Sequence, residues 1–285
     1  MRTFIGVYAF FIKRAFIERH SWGVDRGCKK LKNLKRLLFI VLIGIFVYSG
    51  ISIARYIYDG YTSSKINDQL RKQYATTFQA GETEQNAVDD SEQSSVDQLQ
   101  QHKDRFESLH EINADIVGWI SIADTSIDYP VVQHSDNDYY LDHNIEQKRS
   151  SRGAIFMDYR NEHALVDTHT VIYGHHMKDD SMFGELSKYK DENYYKEHAI
   201  ITLDTLEQPT RWQIFSVYVY SPDHQFFQYE FETEQQYSDY LNEIVESSMY
   251  STDIEVTSKD QLLSLVTCTY EVSDARFIVH AKRVE

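Results

Sequence analysis

The sequence predicts a mostly β domain with helical insertions, a barrel or sandwich of about eight strands, reached through an N-terminal membrane-spanning helix. Three observations carry this. From Ile116 onward, short runs rich in Ile, Val, Tyr and Phe follow one another, as half-buried strands do. They do not alternate regularly with helical segments, which argues against a parallel α/β sheet. Leu37 to Ala54 is uncharged, and at about 1.5 Å per residue it just crosses a hydrocarbon core.

Arg36 and Arg55 bracket that apolar run. A cleaved signal peptide is the competing reading, but the run is long and no small-x-small cleavage site follows it. Residues 1–36 carry ten Lys/Arg against Glu18 and Asp25. Basic flanks stay inside, which makes 1–36 a cytoplasmic tail, 37–54 a transmembrane anchor and the rest extracellular. Phe4 to Ile12 is apolar but too short to span, and an untidy tail is the plainer reading of it. Residues 1–55 carry a net +9 and the whole chain −15, leaving −24 on the remainder. An acidic exported domain is a poor partner for DNA or RNA, whose phosphates need a basic surface.

Residues 55–97 read as a stalk and spacer. Tyr56 to Phe78 suits a helix. Gln79 to Asp97 holds six acids, no Lys or Arg and no aromatic, so it cannot bury enough apolar surface to order itself. The domain proper is placed at 98–285. A helix is expected from about Val96 to Ile112, with Leu99, Phe106 and Leu109 as its apolar positions. The expected strands are 116–122, 127–132, 154–159, 169–175, 198–204, 211–220, 262–270 and 276–284. A short helix is expected over Phe183 to Lys190. A longer one is expected over Gln235 to Met249, where Tyr237, Tyr240, Leu241, Ile244 and Val245 recur at helical spacing.

The chain has two cysteines. Cys28 precedes the anchor, so Cys268 is the only thiol on the outer side and has no disulfide partner within its chain. It ends one expected strand, and Arg276 opens the next. If the two strands form a hairpin, its mouth sets Cys268 beside Arg276, at about 4.5–5.5 Å for directly paired positions. The guanidinium would then favour a thiolate, or hold the oxygen that becomes negative when a thiolate attacks a carbonyl. An inert buried Cys and a surface Arg fit the composition equally well.

A thiol near its reference pKa also needs a base. His175 and His176 follow Gly174, which lets the chain turn at the strand end. Neighbours on a strand point opposite ways, so only one of the pair can serve. Surface decoration or part of a metal site is the competing reading. There is no HExxH and no CxxC, and Asp136-Asn137-Asp138 with Asp142 lacks the central Gly and terminal Glu of an EF-hand. No metal and no cofactor are expected. Without a Gly-rich phosphate loop or a G-x-S-x-G, nucleotide chemistry and a serine hydrolase are disfavoured.

Taken together, YGHHM at 173–177, LVTC at 265–268 and RFIVHAKRV at 276–284 resemble the class B sortases of Gram-positive bacteria. So do NADIVGWISI (113–122), IDYPVVQ (127–133) and RGAIFMD (152–158). The resemblance spans roughly Val96 to Glu285. One departure is visible, since Ser264 stands where the family pattern TLxTC opens on Thr. The resemblance implies an eight-stranded sortase-type β-barrel and a cysteine transpeptidase at the cell surface. It implies Cys268 as nucleophile, His175 as general acid/base and Arg276 as support for substrate and oxyanion.

The implied partners are exported proteins bearing a C-terminal sorting signal resembling NPxTx, a peptidoglycan precursor or cross-bridge amine or a pilin lysine, and the membrane itself. Leu265, Thr267, Ser221, Tyr229 and Tyr250 are candidate substrate contacts, although polar surface or core packing explains each of them as well. In the family, the helix between the Tyr220 and Cys268 strands helps to read the signal, and Gln235 to Met249 fits it. A cysteine peptidase acting mainly by hydrolysis is one alternative, though papain-like folds place Cys before His and here His175 comes first. The other is a non-enzymatic, membrane-anchored binding module.

Overall fold

Eight strands form at the expected places: β1 (Ile116–Ile122), β2 (Asp128–Val132), β3 (Ile155–Met157), β4 (His169–Tyr173), β5 (Ile200–Thr205), β6 (Pro209–Tyr220), β7 (Leu262–Cys268) and β8 (Arg276–Arg283). The structure is a computed structural model, and it describes residues 4–82, 91–162, 166–220, 227–268 and 276–284. The strands close into a barrel in the order β1-β2-β3-β4-β7-β8-β6-β5. Most junctions are antiparallel, but β2–β3 and β4–β7 are parallel.

Alternation along each strand sorts the side chains. Ile120, Leu263, Leu265, Phe277 and Val279 fill the barrel with Trp212 and Phe183. On the outside, Val171, Leu262, Val266, Ile278 and Phe215 form a second layer. Helix α4 (Glu234–Glu246) covers it with Tyr237, Leu241 and Ile244. Thr233 caps this helix, its side chain accepting from the Gln236 N–H at 3.1 Å. The short helix expected over Phe183 to Lys190 is instead a 3₁₀ segment, Gly184–Lys190.

Under α4 lies a chain of buried polar groups, one from each of four adjacent strands. His169 Nδ1 meets the Gln228 carbonyl at 2.8 Å, and His169 Nε2 meets Ser264 Oγ at 2.7 Å. Ser264 Oγ meets His280 Nδ1 at 2.7 Å, and His280 Nε2 meets the Tyr218 hydroxyl at 3.0 Å. A carbonyl only accepts, so His169 carries its proton on Nδ1 and the order of every other proton follows for neutral rings. Tyr218 donates to His280, His280 to Ser264, Ser264 to His169, and His169 to Gln228. Burial pushes His169 down to about 4 and His280 well below its ordinary value.

The N-terminal part divides differently from the expected boundaries. Helix α1 (Phe4–Glu82) runs without a break, and α2 spans Ser91–His110. Helix therefore covers both ends of the expected spacer Gln79 to Asp97, and residues 83–90 lie outside the described residues. Within α1 lies an apolar window of mean hydropathy 2.6, long enough to cross a membrane. The chain separates into two compact units, Met1–Tyr58 and Asp59–Glu285.

The expected stalk is thus helical, but from Asp59 onward it belongs to the barrel's unit. Leu70, Phe106 and Leu109 pack with Trp119, Val132 and Phe156. Tyr74 stacks on Trp119 at 4.2 Å and donates to Asp204, which also accepts from Arg105 at 3.1 Å. Burial pushes the Asp204 carboxyl up despite these partners.

Candidate active site

Strand pairing builds the site. In the antiparallel pair β7–β8, Cys268 lies directly opposite Arg276, as the hairpin argument expects. On its other side Arg276 faces Tyr220 of β6. In the parallel pair β4–β7, Tyr173 is level with Val266, and the Gly174 N–H continues the ladder to the Val266 carbonyl at 3.1 Å. Two residues further on each strand stand His175 and Cys268. A row therefore runs His175, Cys268, Arg276 and Tyr220 across adjacent strands spaced about 4.8 Å apart. Parity puts Arg276 on the outer face, with Ile278.

His175 is half-buried, and its Nε2 lies 2.6 Å from the Leu141 carbonyl. That carbonyl belongs to a 3₁₀ turn, Tyr139–Leu141. Gly174 serves close packing more than turning. A Cβ there would stand 2.5 Å from Ile155 Cδ1 and 2.7 Å from the Phe183 ring. The chain reverses beyond it, with the Phe183 N–H donating to the His175 carbonyl at 3.0 Å and His176 in a bridge with Met182.

The neighbouring outer surface is organised by Asp158, which is fully buried. It accepts from Tyr229 at 2.7 Å, Tyr173 at 3.0 Å, Asn137 at 2.8 Å and both sides of the Arg160 guanidinium at 2.8 and 2.7 Å. Burial alone would raise this carboxyl. Arg160 and Tyr229 overcome that and hold it well below the carboxylate range. Beside it, Arg160, Phe227 and Tyr229 line a cleft of about 700 Å³. The partial calcium-loop pattern has another use. Asp136 Oδ1 accepts from the N–H groups of Asp138 and Tyr139, both at 2.8 Å, and so starts the Tyr139–Leu141 turn.

The expected substrate contacts fare unevenly. Tyr229 lines the cleft, although its hydroxyl is committed to Asp158. Ser221 lies outside the described residues. Leu265 is fully buried in the barrel core, and Thr267 is buried too at 2 % exposure. Alternation along β7 puts both on the face opposite Val266. Tyr250 is also turned to packing, donating to the Tyr189 carbonyl at 2.8 Å and lying against Tyr195. Leu265→Ala should therefore lower stability by about 2–5 kcal/mol, read in thermal melts, and leave peptide KM unchanged. A raised KM at unchanged stability would restore the contact role.

Cysteine, histidine and arginine positions in one row at the end of a barrel suit cysteine acyl transfer. Comparison with known proteins narrows this. Residues 120–284 match the Sortase domain model. Sortase B of Listeria monocytogenes is 34 % identical over 262 residues, covering 90 % of this chain and 99 % of that protein. Sortase B of Staphylococcus aureus is 38 % identical over 189 residues, 65 % of this chain and 78 % of that one. A Staphylococcus aureus sortase B–substrate complex superposes with a TM-score of 0.68 at 31 % identity, covering 80 % of this chain and 99 % of that one. The chain belongs to the sortase family, among its class B members, and is a cysteine transpeptidase.

Proposed function

We propose that this transpeptidase is anchored by its N-terminal helix, with its catalytic unit extracellular, and that it processes exported proteins carrying an NPxTx-like C-terminal signal. Cys268 is the nucleophile, His175 the general acid/base and Arg276 the oxyanion and substrate support. The observation that carries the reading is the pairing of Cys268 with Arg276, with His175 level on the next strand.

The Cys268 thiolate attacks the Thr carbonyl of the signal. A C–S bond forms, and the carbonyl oxygen takes the charge beside Arg276. The C–N bond then breaks, and His175 supplies the proton the leaving amine needs. In the second half an acceptor amine attacks the thioester, gives its proton to His175, and the thiolate departs. A peptidoglycan precursor or cross-bridge amine, or a pilin lysine, fills that role. Holding enzyme, signal protein and lipid-linked acceptor at one membrane raises their effective concentrations. Ten basic residues before the span favour a cytoplasmic N-terminus.

The test uses full-length protein in detergent micelles with quenched NPxTx-type peptides, with and without amine acceptors. Intact mass should show a thioester adduct on the wild type and none on Cys268→Ala. Peptide cleavage with no amine adduct under any acceptor would make the protein a peptidase. Arg276→Lys keeps the charge but loses the planar fork, and should lower kcat/KM by about 10²–10³-fold. Near-normal rates would remove Arg276 from the mechanism.

A further inference from the structure

The acid/base residue of a nucleophile–base pair is normally oriented by a third group. Among the described residues, the group that meets the His175 ring is a backbone atom. The Leu141 carbonyl can only accept, so the 2.6 Å contact fixes the proton on His175 Nε2 and leaves Nδ1 to exchange protons. The bond persists when the ring is protonated, and the carbonyl dipole then faces a positive imidazolium.

Carbonyl and ring are held together from below. Gly153 adopts φ +58, and a Cβ on it would lie 2.8 Å from the Leu141 carbonyl oxygen and 3.1 Å from His175 Cδ2. Its backbone therefore lies against both groups. The preceding residue, Arg152, is buried and grips the Asp179 carboxylate with both terminal nitrogens, at 3.1 and 2.6 Å. It also donates to Ser181. Asp179 to Ser181 belong to the turn that leads back to Phe183, whose N–H bonds the His175 carbonyl.

Asp180 and Met182 in that turn have φ near +60, a conformation side chains disfavour unless their surroundings impose it. Helix α1 closes the far side. Asp59 accepts from the Ser151 N–H and hydroxyl at 2.7 and 2.6 Å, and a Cβ on Gly60 would meet Arg152 Nη2 at 2.5 Å.

We propose that the Leu141 carbonyl is the orienting member of the catalytic group, and that Arg152 and Asp179 are positioning residues that keep it against His175. This rests on His175 being the acid/base. The ion pair ties the segment carrying Gly153 to the turn that carries the histidine. Loosening it lets ring and carbonyl separate, with two consequences. The ring is freer to misplace Nδ1, and the imidazolium loses a stabilising dipole.

The experiment has a spectroscopic and a kinetic arm, both on full-length protein in micelles. Nitrogen-15 histidine spectra, with His175→Ala identifying the resonance, should show His175 in the Nε2–H form. Arg152→Met and Gly60→Leu should each lower kcat by about 10–100-fold with KM within about twofold, since misplacement of a reacting group has this scale. A general loss of packing would not confine the effect to kcat in this way. Arg152→Lys should recover part of the loss.

An Nδ1–H tautomer in the wild type would overturn the proposal. So would an unchanged kcat in both variants. If His175→Ala itself keeps full turnover, the acid/base assignment has failed instead. The tautomer reading needs no variant beyond the assignment, so it decides the matter even where a substitution prevents folding.

Discussion

His175→Ala should reduce thioester formation and amine transfer by about 10²–10⁴-fold, the usual scale for a positioned acid/base, whereas His176→Ala should stay within about threefold of wild type. The two side chains are adjacent in sequence, and neighbours in an extended segment point opposite ways. Parallel pairing puts His175 level with Cys268, while His176 turns into a bridge with Met182. Single-turnover assays with a quenched signal peptide read both steps. The reverse outcome, with His176 essential and His175 dispensable, would mean that the register slips by one residue beyond Tyr173.

Acid should destabilise the fold well above the pH at which most carboxylates titrate. His169 and His280 are fully buried and neutral, their pKa values pushed below the ordinary 6.5. Once unfolded, both rings bind protons near 6.5. The unfolded chain therefore takes up protons that the folded chain refuses, so stability is complete above that value and falls as pH drops toward about 4. At about pH 5.5 the pair should have cost about 2–3 kcal/mol, a drop in melting midpoint of about 5–10 °C.

The single-file proton order sharpens the expectation. An extra proton on His169 Nε2 would face the Ser264 hydroxyl that already donates to it. The nearby Asp158 carboxylate offsets this only in part, and Tyr218 stays neutral throughout. A flat melting profile between about pH 7.5 and 5.5 would show that neither ring is kept neutral. Ser264→Ala leaves two buried ring nitrogens without their shared partner and should cost about 1–3 kcal/mol at neutral pH.

What the sequence made legible was local. Runs rich in Ile, Val, Tyr and Phe located all eight strands, and the spacing of Tyr237, Leu241 and Ile244 located α4. Facing Cys268 with Arg276 needed only the spacing of one hairpin. The inward turn of Leu265 and Thr267 follows from the same alternation, since they share a strand face with Leu263. The stalk was harder. Leu70 and Tyr74 lie in a polar stretch, and their burial depends on Trp119 and Asp204, the latter 130 residues away. The orienting group at His175 left no side-chain signal at all, since a carbonyl looks the same in every residue. Its support was in view as Arg152 and Gly153 of the RGAIFMD run, but nothing local joins them to Asp179.

The parallel seam between β4 and β7 has a consequence for the timing of reactivity. Tyr173 and Val266 meet across almost a hundred residues, and such distant pairings form late and slowly. A chain made from its N-terminus presents the histidine well before the cysteine. Until the seam joins, Cys268 has Arg276 opposite it in the hairpin but no histidine level with it. The full row of His175, Cys268 and Arg276 thus arrives only with the final closure of the barrel.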